Sequence, residues 1–141
     1  MTVAKRIRIQ AGSVSVSAEL NDSATGRAVF AALPIRAEAR TWGDEIYFGI
    51  PVSQPLDDSA AEVVDVGDLG FWPTGKAFCI FFGPTPMSRG SEIRPAGAVN
   101  VIGKVLGDPR VFKAVRDGDP VILEAEVQRD FPEIQGSGIQ G

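Results

Sequence analysis

Apolar residues recur at every second position in short runs broken by glycine, proline and aspartate, and this pattern constrains the fold more than any other feature. Ile7, Ile9 and Ala11 alternate with Arg6, Arg8 and Gln10; beyond Gly12, Val14, Val16, Ala18 and Leu20 alternate with Ser13, Ser15 and Ser17. Successive side chains of a strand point to opposite faces, so period two on both sides of a glycine predicts a β-hairpin. Residues 35–42 and 45–50 repeat the pattern around Gly43-Asp44 and predict a second hairpin, with Ile46, Phe48 and Ile50 on one face and Tyr47 on the other.

The remaining runs extend the same architecture. Leu69 to Trp72, residues 76–82 and residues 98–106 read as strands, and Phe78-Cys79-Ile80-Phe81-Phe82 is apolar at odd and even positions alike, so it needs cover on both faces. Val121, Leu123, Ala125 and Val127 predict a final strand, and residues 63–66 a short one within an acidic connection. Two short helices interrupt the strands. One follows the N-cap candidates Asn21, Asp22 and Ser23, with Phe30 and Leu33 on a shared face and Pro34 as its stop. The other starts at Asp108-Pro109 and runs to about Arg116. About eight strands without helix–strand alternation point to an all-β, mainly antiparallel, closed barrel with two capping helices, since closure removes exposed edges. The chain of 141 residues suits one domain, with its core at about 5–128 and a glycine-rich loose tail over 129–141.

Composition narrows the chemistry. There is no histidine, which removes the usual general base, the activator of serine nucleophiles and the commonest metal ligand. Cys79 is the single cysteine, so neither a disulfide nor a thiolate zinc cage is available, and its place among phenylalanines disfavours a reactive thiolate. A net charge of −4 with scattered basic residues argues against nucleic acid and anionic membrane as partners. The first residues run directly into the alternation, without an apolar stretch of signal-peptide or membrane-spanning length, and a cytoplasmic location is expected. No cofactor or metal is expected.

Two local patterns invite functional readings that their chemistry does not sustain. Residues 70–77, GFWPTGKA, have the spacing of a phosphate-binding loop, but Ala77 replaces the magnesium-binding hydroxyl, Pro73 removes a backbone donor, and strand residues follow where a helix belongs. The acidic residues Asp57, Asp58, Glu62, Asp65 and Asp68 lack the spacing and turn glycine of a calcium loop. Asn100 is different, being a polar amide within Val99-Asn100-Val101-Ile102 that must find hydrogen-bond partners if buried.

Four segments, in order and with compatible spacing, resemble a known family: residues 41–48 (TWGDEIYF), 66–77 (VGDLGFWPTGKA), 81–88 (FFGPTPMS) and 98–105 (AVNVIGKV). They are similar to the small prokaryotic cyclophilin-like proteins, a domain family of unknown function, over about residues 5–128. The resemblance implies the cyclophilin fold, an eight-stranded barrel capped by helices. True cyclophilins isomerise the bond preceding proline with an arginine beside the prolyl nitrogen and a hydrophobic pocket for the ring. Here the arginine's position falls near Phe48 and that of the pocket histidine at about Val99. Lowering a rotational barrier of roughly 18–20 kcal/mol without that cation is a poor prospect, so efficient isomerase activity is not expected.

The functional expectation is a binding barrel with a concave aromatic patch formed by Trp42, Tyr47, Phe48, Trp72, Phe82, Thr85, Met87 and Asn100, taking a small molecule or a short peptide. The long loop over residues 83–97, with three prolines and three glycines, is expected to rim it. Two alternatives stay open. One is a weak prolyl isomerase in which Arg40, Arg89 or Arg94 supplies the cation; the other is a non-catalytic interaction module, homo-oligomerisation included.

Overall fold

A computed structural model describes residues 5–126. β1 (Lys5–Ala11) and β2 (Val14–Leu20) form the first hairpin, in register from Lys5↔Leu20 to Ala11↔Val14. Gly12 makes the turn with φ +56°, a left-handed conformation that glycine adopts without steric cost. α1 (Ala24–Ala31) begins at Ser23, whose hydroxyl accepts a 3.0 Å hydrogen bond from the Gly26 amide. Its fully buried apolar side chain is Val29, with Phe30 and Leu33 packed less deeply beside it.

The expected strand over residues 35–42 is divided. β3 (Ile35–Glu38) pairs with the last strand, whereas β4 (Arg40–Thr41) pairs with β5 (Glu45–Gly49). Ala39 is the pivot, because its N–H donates to Asp119 O and its carbonyl accepts from Gly118 N, both at 2.8 Å, so the 118–119 turn holds this residue. The short strand expected at 63–66 is also displaced: β6 (Ala60–Ala61) does the pairing, and Val64 makes only an isolated bridge to Ile93. The cause is local, since the Asp57 amide is bound by Asn100 Oδ1 at 2.9 Å and the Ser59 carbonyl by Val101 N at 3.1 Å, which fixes residues 57–61 against the neighbouring strand.

β7 (Asp68–Trp72), a 3-10 turn at Pro73–Gly75, β8 (Ala77–Phe81) and β9 (Val99–Val105) follow. The helix expected after Asp108 is a 3-10 helix, Pro109–Ala114, capped by the Asp108 carboxylate on Arg110 N at 3.0 Å. β10 (Pro120–Ala125) completes the fold. Val127, the end of the expected core at 128 and the expected tail at 129–141 lie outside the described residues.

The antiparallel order is β3-β10-β1-β2-β9-β7-β8-β5-β4, with β6 beside β9. The two ends of this path, β3 and β4, are consecutive in the chain and separated only by Ala39, so the sheet curls into a nearly closed barrel. Counted as one bent run, β3 and β4 leave eight barrel strands besides β6. The interior is filled by Ile7, Ile9, Leu20, Ile46, Phe71, Phe78, Ile102 and Leu123, with Val29 and Phe112 contributed by the helices. Among the described residues no helix is long and apolar enough to cross a membrane.

Candidate functional site

The cross-strand pairs decide which side chains share a face. Ile46↔Ile80, Phe48↔Phe78, Leu69↔Ile80 and Phe71↔Phe78 all join residues of the barrel interior. The intervening pairs, Glu45↔Phe81, Tyr47↔Cys79, Gly70↔Cys79 and Trp72↔Ala77, therefore lie on the outside of the same strands. That outer face carries a second apolar cluster of Ala77, Cys79, Phe81 and Val99, covered by Ile93 from the chain between β8 and β9 and by Val64. All five residues of β8 are buried, as expected for a strand covered on both sides.

A recess of about 240 Å³ opens beside this second cluster, lined by Trp42, Glu45, Tyr47, Trp72, Cys79, Pro95, Ala96 and Val99. Its aromatic walls are placed by backbone rather than by chance. Trp42 stands on the β4–β5 turn, where its amide donates to Glu45 O at 2.9 Å. Trp72 ends β7 between two glycines: a methyl group on Gly75 would sit 2.9 Å from Cε3 of the indole, and one on Gly97 would sit 3.1 Å from Nε1. The loop wall is anchored to the same turn, because Asp44 N donates to Pro84 O and Phe82 N to Asp44 O, each at 2.9 Å.

Three residues of the expected patch, Trp42, Tyr47 and Trp72, come together in this recess. The other five lie elsewhere. Phe48 faces the barrel interior, stacked on Phe78 with ring centroids 5.3 Å apart. Phe82 packs in the same interior against Phe112 at 6.2 Å. The buried Thr85 hydroxyl bonds the Arg94 carbonyl and accepts from Met87 N, serving as an internal staple of the loop with Ser88. Met87 is 49% exposed. Asn100 is fully buried and satisfied within the fold: its amide donates to Thr25 Oγ1 at 3.0 Å and to Pro55 O at 2.9 Å, and its oxygen accepts from Asp57 N. Those bonds tie α1 to the acidic connection and leave one lone pair of the amide unused.

Glu45, Cys79, Pro95, Ala96 and Val99 also line the recess and were not in the expected patch, and Glu45 is the ionisable one with an unpartnered oxygen. It is only 5% exposed, and its Oε1 has no hydrogen-bond partner. Burial pushes its carboxyl from 4.5 up to about 7, with the neighbouring Cys79 thiol acting weakly the other way. Cys79 itself is driven well above its ordinary range, first by burial and then by the negative charge of Glu45, so it is a wall and not a nucleophile. Its Sγ lies 3.8 Å from the Ala77 carbonyl. Among the described residues no group of three or more histidine, cysteine or acidic side chains is arranged to hold a metal. The phosphate-loop spacing also fails in three dimensions, because the 3-10 turn at Pro73–Gly75 leads into β8 and no helix begins there.

Comparison with known proteins agrees with this architecture. The cyclophilin-like family model matches residues 5–124, and the chain belongs to that family. The solution structure of a hypothetical protein from Archaeoglobus fulgidus is similar to it, at 41% identity over 89% of this chain and 98% of that one, with a TM-score of 0.76. No curated protein matches the chain.

Proposed function

We propose that this protein binds a small organic molecule, or one or two residues of a peptide, in the recess on the outer face of the barrel. The observation that carries this reading is the recess itself, walled by Trp42, Tyr47 and Trp72 and floored by the small side chains Cys79 and Val99, with one buried carboxyl among them. A few polar groups set into a mainly apolar concavity is the usual composition of a ligand site. Its volume of about 240 Å³ lies below the roughly 300–1,000 Å³ common for drug-sized ligands, which favours a fragment built around a single ring or short chain.

A prolyl isomerase is supported less well. The position nearest the family's arginine is Phe48, whose ring is packed on Phe78 inside the barrel, and the recess wall carries a carboxyl and no guanidinium. Arg94 is engaged with Glu92 at 2.8 Å.

The chain contains two tryptophans, and both stand in the wall of the recess. Intrinsic fluorescence therefore reports on this site without a label. A fragment screen should yield compounds that shift the emission and raise the melting temperature together. Compounds that stabilise the fold while leaving the emission of both tryptophans unchanged would place binding elsewhere.

A further inference from the structure

We propose that the recess selects an organic cation bearing at least one N–H, a protonated amine of about ten non-hydrogen atoms or fewer, whose nitrogen is bound by the Glu45 carboxylate between the aromatic walls. This deepens the binding reading above and rests on it. A carboxylate with one oxygen buried and without a partner is costly to ionise, and a ligand cation set against the same carboxyl in the recess offsets that cost. Rings of tryptophan and tyrosine attract cations through their negative faces, so the walls favour the same ligand charge as the carboxylate does. The net charge of −4 adds a long-range attraction of the same sign.

The neighbours of Glu45 leave that role open. The titratable groups that share the recess with it are Cys79 from β8 and Tyr47 from its own strand, while Trp42, Trp72, Pro95, Ala96 and Val99 bring none. Three basic groups on the adjoining elements act elsewhere. Arg94 is paired with Glu92, Lys113 reaches Asp44 at 3.5 Å, and Arg40 adds its charge to the Thr41 hydrogen bonds that hold the Asp117 carboxyl down. Among the described residues no cation is paired with Glu45, and burial keeps much of it protonated near neutral pH.

The test uses the whole chain with two probes of nearly equal shape, benzylamine, which stays protonated at pH 6 and at pH 8, and neutral benzyl alcohol. Titrations followed by tryptophan emission should show the amine binding at least tenfold tighter than the alcohol at pH 8. With the carboxyl titrating at about 7, the ionised fraction falls about tenfold between pH 8 and pH 6, and the amine's advantage should fall with it. Glu45→Gln should abolish the preference and retain the alcohol, and because the pH series uses the wild type, the test survives a variant that fails to fold. Equal affinity for both probes at pH 8 overturns the cation proposal and leaves the recess reading standing. Amine affinity that rises toward pH 6 overturns it too, since the ionised carboxylate would then not be the group that holds the ammonium. If neither these probes nor a wider fragment set moves the emission, the recess reading falls with it.

Discussion

The two faces of the sheet formed by β5, β8, β7 and β9 use the same strands for opposite ends. On the inner face Ile46, Phe48, Phe78, Ile80, Leu69 and Phe71 interlock as one apolar mass with the rest of the barrel. On the outer face small residues occupy the centre: Gly70, where a methyl would sit 2.9 Å from Val99 Cγ2 and 3.1 Å from the Phe81 ring, then Ala77 and Cys79. The bulky groups stand around them, and an irregular loop provides the cover. The inner face is filled by side chains of the surrounding strands, with Val29 and Phe112 of the helices packed among them. The outer face leaves a recess, and the Glu45 carboxyl in its lining is buried at a cost that appears as its raised pKa. The lesson is that strand parity separates the packed interior from the candidate site in this molecule, one residue at a time.

The sharpest way to break the comparison is to cut into the inner face. Phe78→Ala should cost about 3–5 kcal/mol in urea denaturation, the loss of transfer energy plus a cavity that neighbouring rings cannot fill. A midpoint close to wild type would mean that the interior is less tightly knit than the outer cluster.

Glu45 probes the outer face through pH. Its carboxyl holds its proton up to about 7 in the folded chain against 4.5 ordinarily, so between those values the folded state carries more protons than the unfolded one. Stability then falls as pH rises through this window, by about 3 kcal/mol in total. Glu45→Gln has no proton to lose, and should match wild type near pH 4.5 and exceed it by up to about 3 kcal/mol at pH 8. Thermal melts of both proteins across the range would show the gap opening with pH; parallel curves would mean that the carboxyl is hydrated after all.

The smallest expected effect lies in the wall. Gly75→Ala places a methyl against the Trp72 ring, which must turn away, at a cost of about 1 kcal/mol because the half-buried indole has space to move. The measurable change is in tryptophan emission and probe affinity and not in the melting temperature. Unchanged emission would show that the two glycines do not set the position of Trp72.

Alternation alone was enough to read the first hairpin, the inward set Ile46, Phe48 and Ile50, and the two-sided burial of β8, because each depends on neighbours one or two residues away. The same parity also separates Phe48 from Tyr47, so one cavity could not have held both, and grouping them as aromatics overlooked it. Glu45 escaped because a charged residue next to a Gly-Asp turn normally faces water. Its parity with Tyr47, combined with a partner strand buried on both sides, was the signal that pointed inward under the loop. Thr85 and Met87 sit in a segment without periodicity, where hydroxyl staples decide direction, and no local pattern encodes those. Asn100 did show its nature, a buried amide needing partners, but Thr25 and the Pro55 carbonyl that satisfy it are distant in sequence.

The place of β10 between β1 and β3 has a consequence for how the chain acquires its shape. The barrel path reaches β3 only through residues 120–125, which lie some hundred positions after β1. During synthesis the β1–β2 hairpin can form early, yet its free edge waits for almost the entire domain to leave the ribosome before it is paired. Assembly is therefore a late, all-together event with a heavy loop-closure cost, of the slow kind that non-local pairing imposes, and a nascent chain halted before Pro120 would expose a strand edge for chaperones or for another chain to claim.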